Sequence, residues 1–167
     1  TDPVSGLGDI RVSLARLLAG SPESARLLAA RAGLELPTGS SDDLLGSGST
    51  DFSFALAGTD TATLSPLRIN GSAGMLLMTR GDIMPERQEP GAAFGSLSLG
   101  WAALDWMWLK VQVDSHSPLF HDMPAGPLGE WAHQLVVGGT LLLPGNYCLD
   151  IGVAEDIAVS TTPDVVF

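Results

Sequence analysis

The sequence has little cysteine, little lysine and few charges: Cys148 and Lys110 are each the single residue of their kind, and charged residues make up 16% of the 167. One cysteine excludes an internal disulfide and a metal site built from several cysteines. No apolar run reaches the roughly 18 residues of a membrane-crossing helix, so we predict no membrane span. No metal ion or cofactor is expected from the composition.

The net charge of −11 excludes another class of function. Nucleic-acid binding requires clustered lysine and arginine that displace the counterions of phosphate. Beyond residue 35, four basic residues face fifteen acidic ones, so we expect no direct nucleic-acid contact. A typical domain has about 25% charged residues. The low value here predicts that much of the surface contacts other protein chains.

Residues 1–36 are predicted to form a short helical hairpin. Apolar side chains recur at helical spacing, Gly20 ends the first helix, and Ser21-Pro22-Glu23 is typical of a helix N-terminus. The apolar stripe predicts docking on another chain or on the flank of the main domain. The residues expected in that interface are Ile10, Leu14, Leu17, Leu18, Leu27 and Leu28. Residues 37–50, rich in Gly, Ser and Asp, are predicted to be a flexible linker.

Residues 51–167 have the pattern of a β-domain. Short apolar or alternating segments are separated by turn residues, which favours an antiparallel β-sandwich or jelly roll of about eight strands. The stretch from Leu141 to Val153 resembles a pattern common in β-sandwich domains: a strand, a Pro144-Gly145 turn and an alternating strand led by Tyr147. Further strands are predicted at Phe52–Ala57, Met75–Thr79, Leu104–Val113, Gln134–Val137 and Ile157–Val159.

The segment Leu104–Val113 is apolar on both of its alternating faces. We therefore expect one continuous central strand that is covered by protein on both sides. Trp106 and Trp108 share a face in this interpretation, and they are predicted to fill the core or a subunit interface. An exposed pair would instead indicate a sugar-binding surface.

Candidate chemical sites are few, and no catalytic or cofactor-binding residue is predicted. Asp114, His116, His121 and Asp122 have side chains that suit zinc, iron or manganese. Pro118 places them in a loop, so we expect no bound metal there. The order of histidine, proline and glycine also departs from the pattern of the cupin family, which counts against a cupin metal centre.

Two tripeptides are candidate surface loops. Arg80, Gly81 and Asp82 form the integrin-type sequence, which makes them a candidate receptor loop. Asn70-Gly71-Ser72 fits a glycosylation acceptor, but Asn-Gly is also a strong hairpin signal, and we interpret it as a turn.

These observations predict a non-enzymatic structural or interaction subunit that assembles into a homo- or hetero-oligomer. The concrete hypothesis is a virion coat or decoration protein, located in the virion or outside the cell, with the cytoplasm as another compartment. The ends at Thr1 and Phe167 resemble cut sites. The alternatives are a secreted adhesion or carbohydrate-binding sandwich and a small metal-dependent jelly-roll enzyme.

Overall fold

The computed structural model describes residues 5–123 and 129–157. In them, eight antiparallel strands form one open sheet in which each strand pairs with the next along the chain. No helix in these residues is long and apolar enough to cross a membrane. The strands are β1 (Ile10–Ala19), β2 (Arg26–Leu36), β3 (Asp51–Asp60), β4 (Leu67–Met78), β5 (Gly91–Leu104), β6 (Met107–His116), β7 (Ala132–Leu143) and β8 (Tyr147–Asp156).

The predicted helical hairpin of residues 1–36 is wrong, because residues 10–19 and 26–36 form β1 and β2. Ile10 pairs with Leu36 and Leu14 with Ala32, and β2 in turn pairs with β3 along its length. The segment 9–19 satisfies two periods at once, since its apolar residues fit a helix while Ile10, Val12 and Leu14 alternate as in a strand. Hydrogen bonding to distant partners decides between the two.

The predicted sandwich or jelly roll is not supported, because residues 5–123 and 129–157 form one sheet with no second layer packed on it. In the described residues the one buried apolar side chain is Ala92, which is 5% exposed. The accessible surface is 11382 Å², whereas a compact protein of 17.3 kDa exposes roughly 7,800 Å². The mainly β prediction is confirmed, but the part of the chain that the structure describes forms no hydrophobic core.

The continuous central strand expected at Leu104–Val113 is divided in two. β5 ends at Leu104, Asp105 and Trp106 form a two-residue turn, and β6 begins at Met107. The backbone N–H of Leu142 donates to the carbonyl of Trp106 at 2.8 Å, which ties the turn to β7. The segment Leu104–Val113 is therefore the end of a hairpin, and not one strand covered by protein on both faces.

The Pro144-Gly145 turn is confirmed as the connection between β7 and β8. Gly145 and Asn146 have φ of 81° and 62°, in the region that glycine and asparagine tolerate best. By contrast, Asn70 and Gly71 lie inside β4 and not in a turn. The strand predicted at Ile157–Val159 lies mostly outside the described residues. The two ends of the chain lie outside them too.

The connections between strands differ at the two ends of the sheet. At one end, which we call the short-turn end, the connections are residues 20–25, 61–66, 105–106 and 144–146. At the other, the long-loop end, they are residues 37–50, 79–90 and 117–131. The two ends of the sheet are therefore built differently.

Candidate functional site

The register of the sheet separates its side chains into two faces of opposite character. Directly paired residues lie on the same face, and successive residues of a strand lie on opposite faces. One surface, the apolar face, is almost entirely hydrophobic in its middle rows. It includes Val12, Leu14, Leu34, Phe54, Leu56, Met75, Leu97, Leu99, Val111, Val113, Val137, Ile151 and Val153.

The opposite surface, the polar face, has side chains that hydrogen-bond across the strands. The Thr59 hydroxyl donates to Asn70 Oδ1 at 2.9 Å, and Asn70 Nδ2 donates to Ser98 Oγ at 3.1 Å. Ser72 and Ser96 are joined at 2.7 Å. Further polar members are Arg11, Ser13, Arg31, Glu35, Ser53, Arg68, Lys110, Gln112, Asp114, Gln134, Thr140 and Asp150.

Burial of the two faces is the reverse of that in a sheet whose apolar side packs on a hydrophobic core. On the apolar face Leu14 is 76% exposed and Ile151 is 59% exposed. On the polar face Thr140 is buried, and Asn70, Ser72, Ser96, Ser98 and Gln112 are half-buried. The sheet therefore curls around its polar face and turns its hydrophobic side chains outward.

On the polar face, Lys110 of β6 and Thr140 of β7 both contact the carboxylate of Asp150 in β8. Lys110 Nζ lies 2.8 Å from Asp150 Oδ1, and the Thr140 hydroxyl donates to the same oxygen. These hydrogen bonds, with that of Lys110 the larger, hold the pKa of Asp150 below its usual value. The Asp150 carboxylate therefore stays ionised over the neutral range and neutralises Lys110.

At the long-loop end, hydrogen bonds join the loops to one another and to Asp9, which precedes β1. Backbone N–H groups of Ser47 and Gly39 donate to the Asp9 carboxylate, at 2.8 and 2.9 Å, and lower the pKa of Asp9. A second contact joins loops 79–90 and 117–131, where Gln88 forms a β-bridge with Phe120. The residues described at this end therefore form a connected layer.

The candidate receptor loop Arg80-Gly81-Asp82 belongs to this layer. Gly81 is buried, and its N–H donates to Gln88 Oε1 at 2.8 Å. Asp82 Oδ2 accepts from the Ser41 hydroxyl at 2.8 Å. The tripeptide is thus held against its neighbours, and receptor binding by it stays a prediction.

The predicted interface residues do not form one helical stripe. Ile10, Leu14 and Leu28 lie on the apolar face, whereas Leu17 and Leu27 belong to the other side of β1 and β2. Leu18 lies at the β1 bulge, between the paired residues Leu17 and Ala19, and is exposed. Trp106 is 52% exposed in the β5–β6 turn, and Trp108 is half-buried on the polar face. Trp106 and Trp108 therefore occupy different environments.

The four metal candidates are distributed over the end of β6 and the following loop. Asp114 accepts two hydrogen bonds from Gln112, and His116 Nδ1 is hydrogen-bonded to the Ser117 carbonyl. His121 lies 3.5 Å from Glu89, and Asp122 has a φ of 50°. Over residues 5–123 and 129–157, no group of three or more His, Cys, Asp or Glu side chains is arranged to hold a metal ion.

Cys148 is exposed near the start of β8. Sequence reasoning missed the polar face as a feature, although a signal for it exists. β1 alternates Ile10, Val12 and Leu14 with Arg11, Ser13 and Ala15, so the two-face pattern extends into the segment that helical spacing assigned to an arm.

A family model matches nearly the whole chain, over residues 3–167, and its description is "Protein of unknown function (DUF3187)". The chain belongs to the DUF3187 family. A search of curated proteins found no match. Membership in DUF3187 therefore names no activity, and an account of function depends on the two faces of the sheet.

Proposed function

We propose that this DUF3187 chain is part of a membrane-spanning antiparallel sheet, with its apolar face on lipid and its polar face on a water-filled interior. The observation that carries the proposal is the inverted burial: hydrophobic residues point outward while polar residues hydrogen-bond inside the curl. Monomeric soluble proteins rarely expose apolar patches beyond a few hundred Å². Lipid hydrocarbon removes the cost of that exposure.

Strand length supports the same proposal. The strands have 10 to 14 residues, and a membrane-crossing strand needs about 9–11 residues at a tilt of about 45°. Ten residues at about 3.3 Å each extend roughly 33 Å, or about 23 Å of height when tilted. That height matches the apolar band of about 25 Å seen on strands that cross membranes.

The distribution of charged and aromatic residues fits a lipid-facing surface. Two charged residues of the apolar face lie at strand ends, since Asp60 is the last residue of β3 and Glu155 is the last but one of β8. Arg16 lies farther in, in the row of Ala30 and Leu56. Tyr147 begins β8, and Trp101 lies close to the end of β5, both at the short-turn end. Tyr and Trp favour the membrane–water boundary because one side of each ring is apolar and the other polar.

The two edge strands of the sheet, β1 and β8, need hydrogen-bond partners if the sheet lies in a membrane. In the described residues β1 pairs only with β2, and β8 only with β7. Each unpaired backbone N–H or C=O in hydrocarbon costs several kcal/mol. Both edges must therefore pair with further strands in the membrane.

The hypothesis of an assembling, virion-coat subunit stays a prediction, with weaker support. It was based on a separate helical arm and on a strand covered on both sides, and the structure has strands β1 and β2 and a hairpin at those places. The low charge, another of its arguments, is equally expected of a lipid-facing sheet. The proposal here departs from the prediction of no membrane span.

Neighbouring positions on β3 provide the direct test. Leu56 belongs to the apolar face and Ala57 to the polar face, one residue apart. In a Cys148→Ser background, a fluorophore on Leu56→Cys should be quenched by lipids brominated on their acyl chains. The same fluorophore on Ala57→Cys should instead be quenched by aqueous iodide.

Two results would contradict the proposal. One is equal quenching of both positions by iodide in vesicles. The other is a monodisperse protein that stays in solution without detergent or lipid, which would mean that protein covers the apolar face.

A further inference from the structure

A concavity on the polar face, which we call the notch, lies over β4 to β7 and has a volume of about 340 Å³. Its floor is Gly100, which is buried and pairs with Arg68 on one side and Lys110 on the other. Since glycine has no side chain, the row Arg68–Gly100–Lys110 has a gap at its centre. The gap is bordered by Trp108 and Arg68, since a Cβ on Gly100 would lie 3.7 Å from Trp108 Cε3 and 3.8 Å from Arg68 Cβ.

The two cations beside the gap are in different electrostatic states. The positive charge of Lys110 is balanced by the Asp150 carboxylate, whose Oδ1 lies 2.8 Å from Lys110 Nζ. Within residues 5–123 and 129–157, no carboxylate lies within ion-pair distance of Arg68. The Arg68 guanidinium lies 5.0 Å from the centre of the Trp108 ring, a cation–π contact that fixes its position without cancelling its charge.

Arg68 and Ser98 line the notch and donate no side-chain hydrogen bond within the described residues. Asn70 Nδ2 donates to Ser98 Oγ, so the Ser98 hydroxyl hydrogen has no acceptor in that bond and is free to donate. The five N–H donors of Arg68 form a planar fork that matches the oxygens of a carboxylate or phosphate. The notch thus combines a net positive charge with polar donors.

We propose that the notch binds a small anion, through the carboxylate or phosphate group of a solute that enters the polar face. Arg68 provides the charge and the paired donors, Ser98 adds a hydroxyl, and Gly100 leaves the space. This inference rests on the proposed function, because it takes the polar face to be open to water. It adds the chemical class of solute that this face would select.

The test uses the intrinsic fluorescence of Trp108 in detergent-solubilised protein. Trp101, Trp106 and Trp131 are replaced by Phe, and the protein is titrated with inorganic phosphate or with acetate at constant ionic strength in chloride. We expect a saturable change with at least one of the two, and the stronger response identifies the group preferred. Arg68→Gln should weaken the affinity about tenfold or more, while Arg68→Lys should retain part of it.

Arg31→Gln is the matched control, because Arg31 lies on the same face but donates to Ser13 at 3.1 Å, away from the notch. Its affinity should equal that of the parent. The inference is overturned if neither anion gives saturation, or if Arg31→Gln weakens binding as much as Arg68→Gln. Lipid quenching at Leu56→Cys is independent of these titrations, so failure of the membrane proposal and failure of the notch are distinguishable.

Discussion

At the scale of a single residue, Asp51, the first residue of β3, has a carboxylate whose burial opposes its negative charge. Its Oδ1 is buried and has no hydrogen-bond partner. Burial raises the pKa of Asp51, and the nearby Glu35 carboxylate adds to the rise. The charged form is therefore disfavoured in the folded protein relative to the unfolded chain.

The consequence is a pH-dependent gain in stability for Asp51→Asn. Because the folded-state pKa is above the ordinary value of 3.8, the wild type loses stability as pH rises from that value through the folded-state pKa. At pH 7 the variant should be more stable by about 0.5 kcal/mol, a small value because the residue is only half-buried. Urea unfolding at pH 7 and pH 3 measures it, and the gain should disappear at pH 3.

Asp105→Asn, in the exposed β5–β6 turn, is the control for that measurement. It removes the same charge without relieving burial. An equal gain from both variants would mean that the net charge of −11, and not the site of Asp51, sets the effect.

At the scale of the element, alternation predicted strands well only where no helical period competed with it. The hairpin at Pro144-Gly145 was readable because proline and glycine mark the turn and Tyr147, Leu149 and Ile151 alternate after it. β1 was not, because Leu17 and Leu18 add a helical spacing to the alternation of Ile10, Val12 and Leu14. Which period wins depends on the partner strand, and that information is not local.

The polar face was missed for a related reason. Alternation shows that a strand has two unlike faces, but it does not show whether protein, lipid or water covers the apolar one. A sandwich was expected because burial by a second sheet is the usual solution in water. The notch was also beyond prediction, since Arg68, Gly100 and Lys110 meet only through the register of β4, β5 and β6.

Neighbouring residues of β6 provide a prediction at this scale. Val111 lies on the apolar face and Gln112 on the polar face. An arginine on the lipid side of a membrane-crossing strand near mid-height costs about 2–4 kcal/mol. Val111→Arg should lose about that much stability in vesicles, and Gln112→Arg about 1 kcal/mol or less, as measured by urea unfolding. Equal losses would place both side chains in the same medium.

At the scale of the whole molecule, the sheet has two dissimilar ends. The connections 20–25, 61–66, 105–106 and 144–146 are short, whereas 37–50, 79–90 and 117–131 are long. The residues described in the long loops bond to one another, as Glu89 N–H does to the Leu119 carbonyl at 2.9 Å. Sheets that cross membranes commonly have short turns on one side and longer loops on the other. If the sheet spans a bilayer, the two ends lie in separate aqueous compartments.

Two exposed acidic residues, Glu23 in the β1–β2 turn and Asp43 in loop 37–50, test this separation. In a Cys148→Ser background, vesicles that contain Glu23→Cys or Asp43→Cys are treated with a membrane-impermeant maleimide before and after detergent. Each molecule presents one end outward, so the fractions labelled before detergent at the two positions should add up to about the whole. After detergent, both positions should be labelled completely. Complete labelling of both before detergent would mean that the sheet lies on the membrane or outside it, because no bilayer then separates the short turns from the long loops.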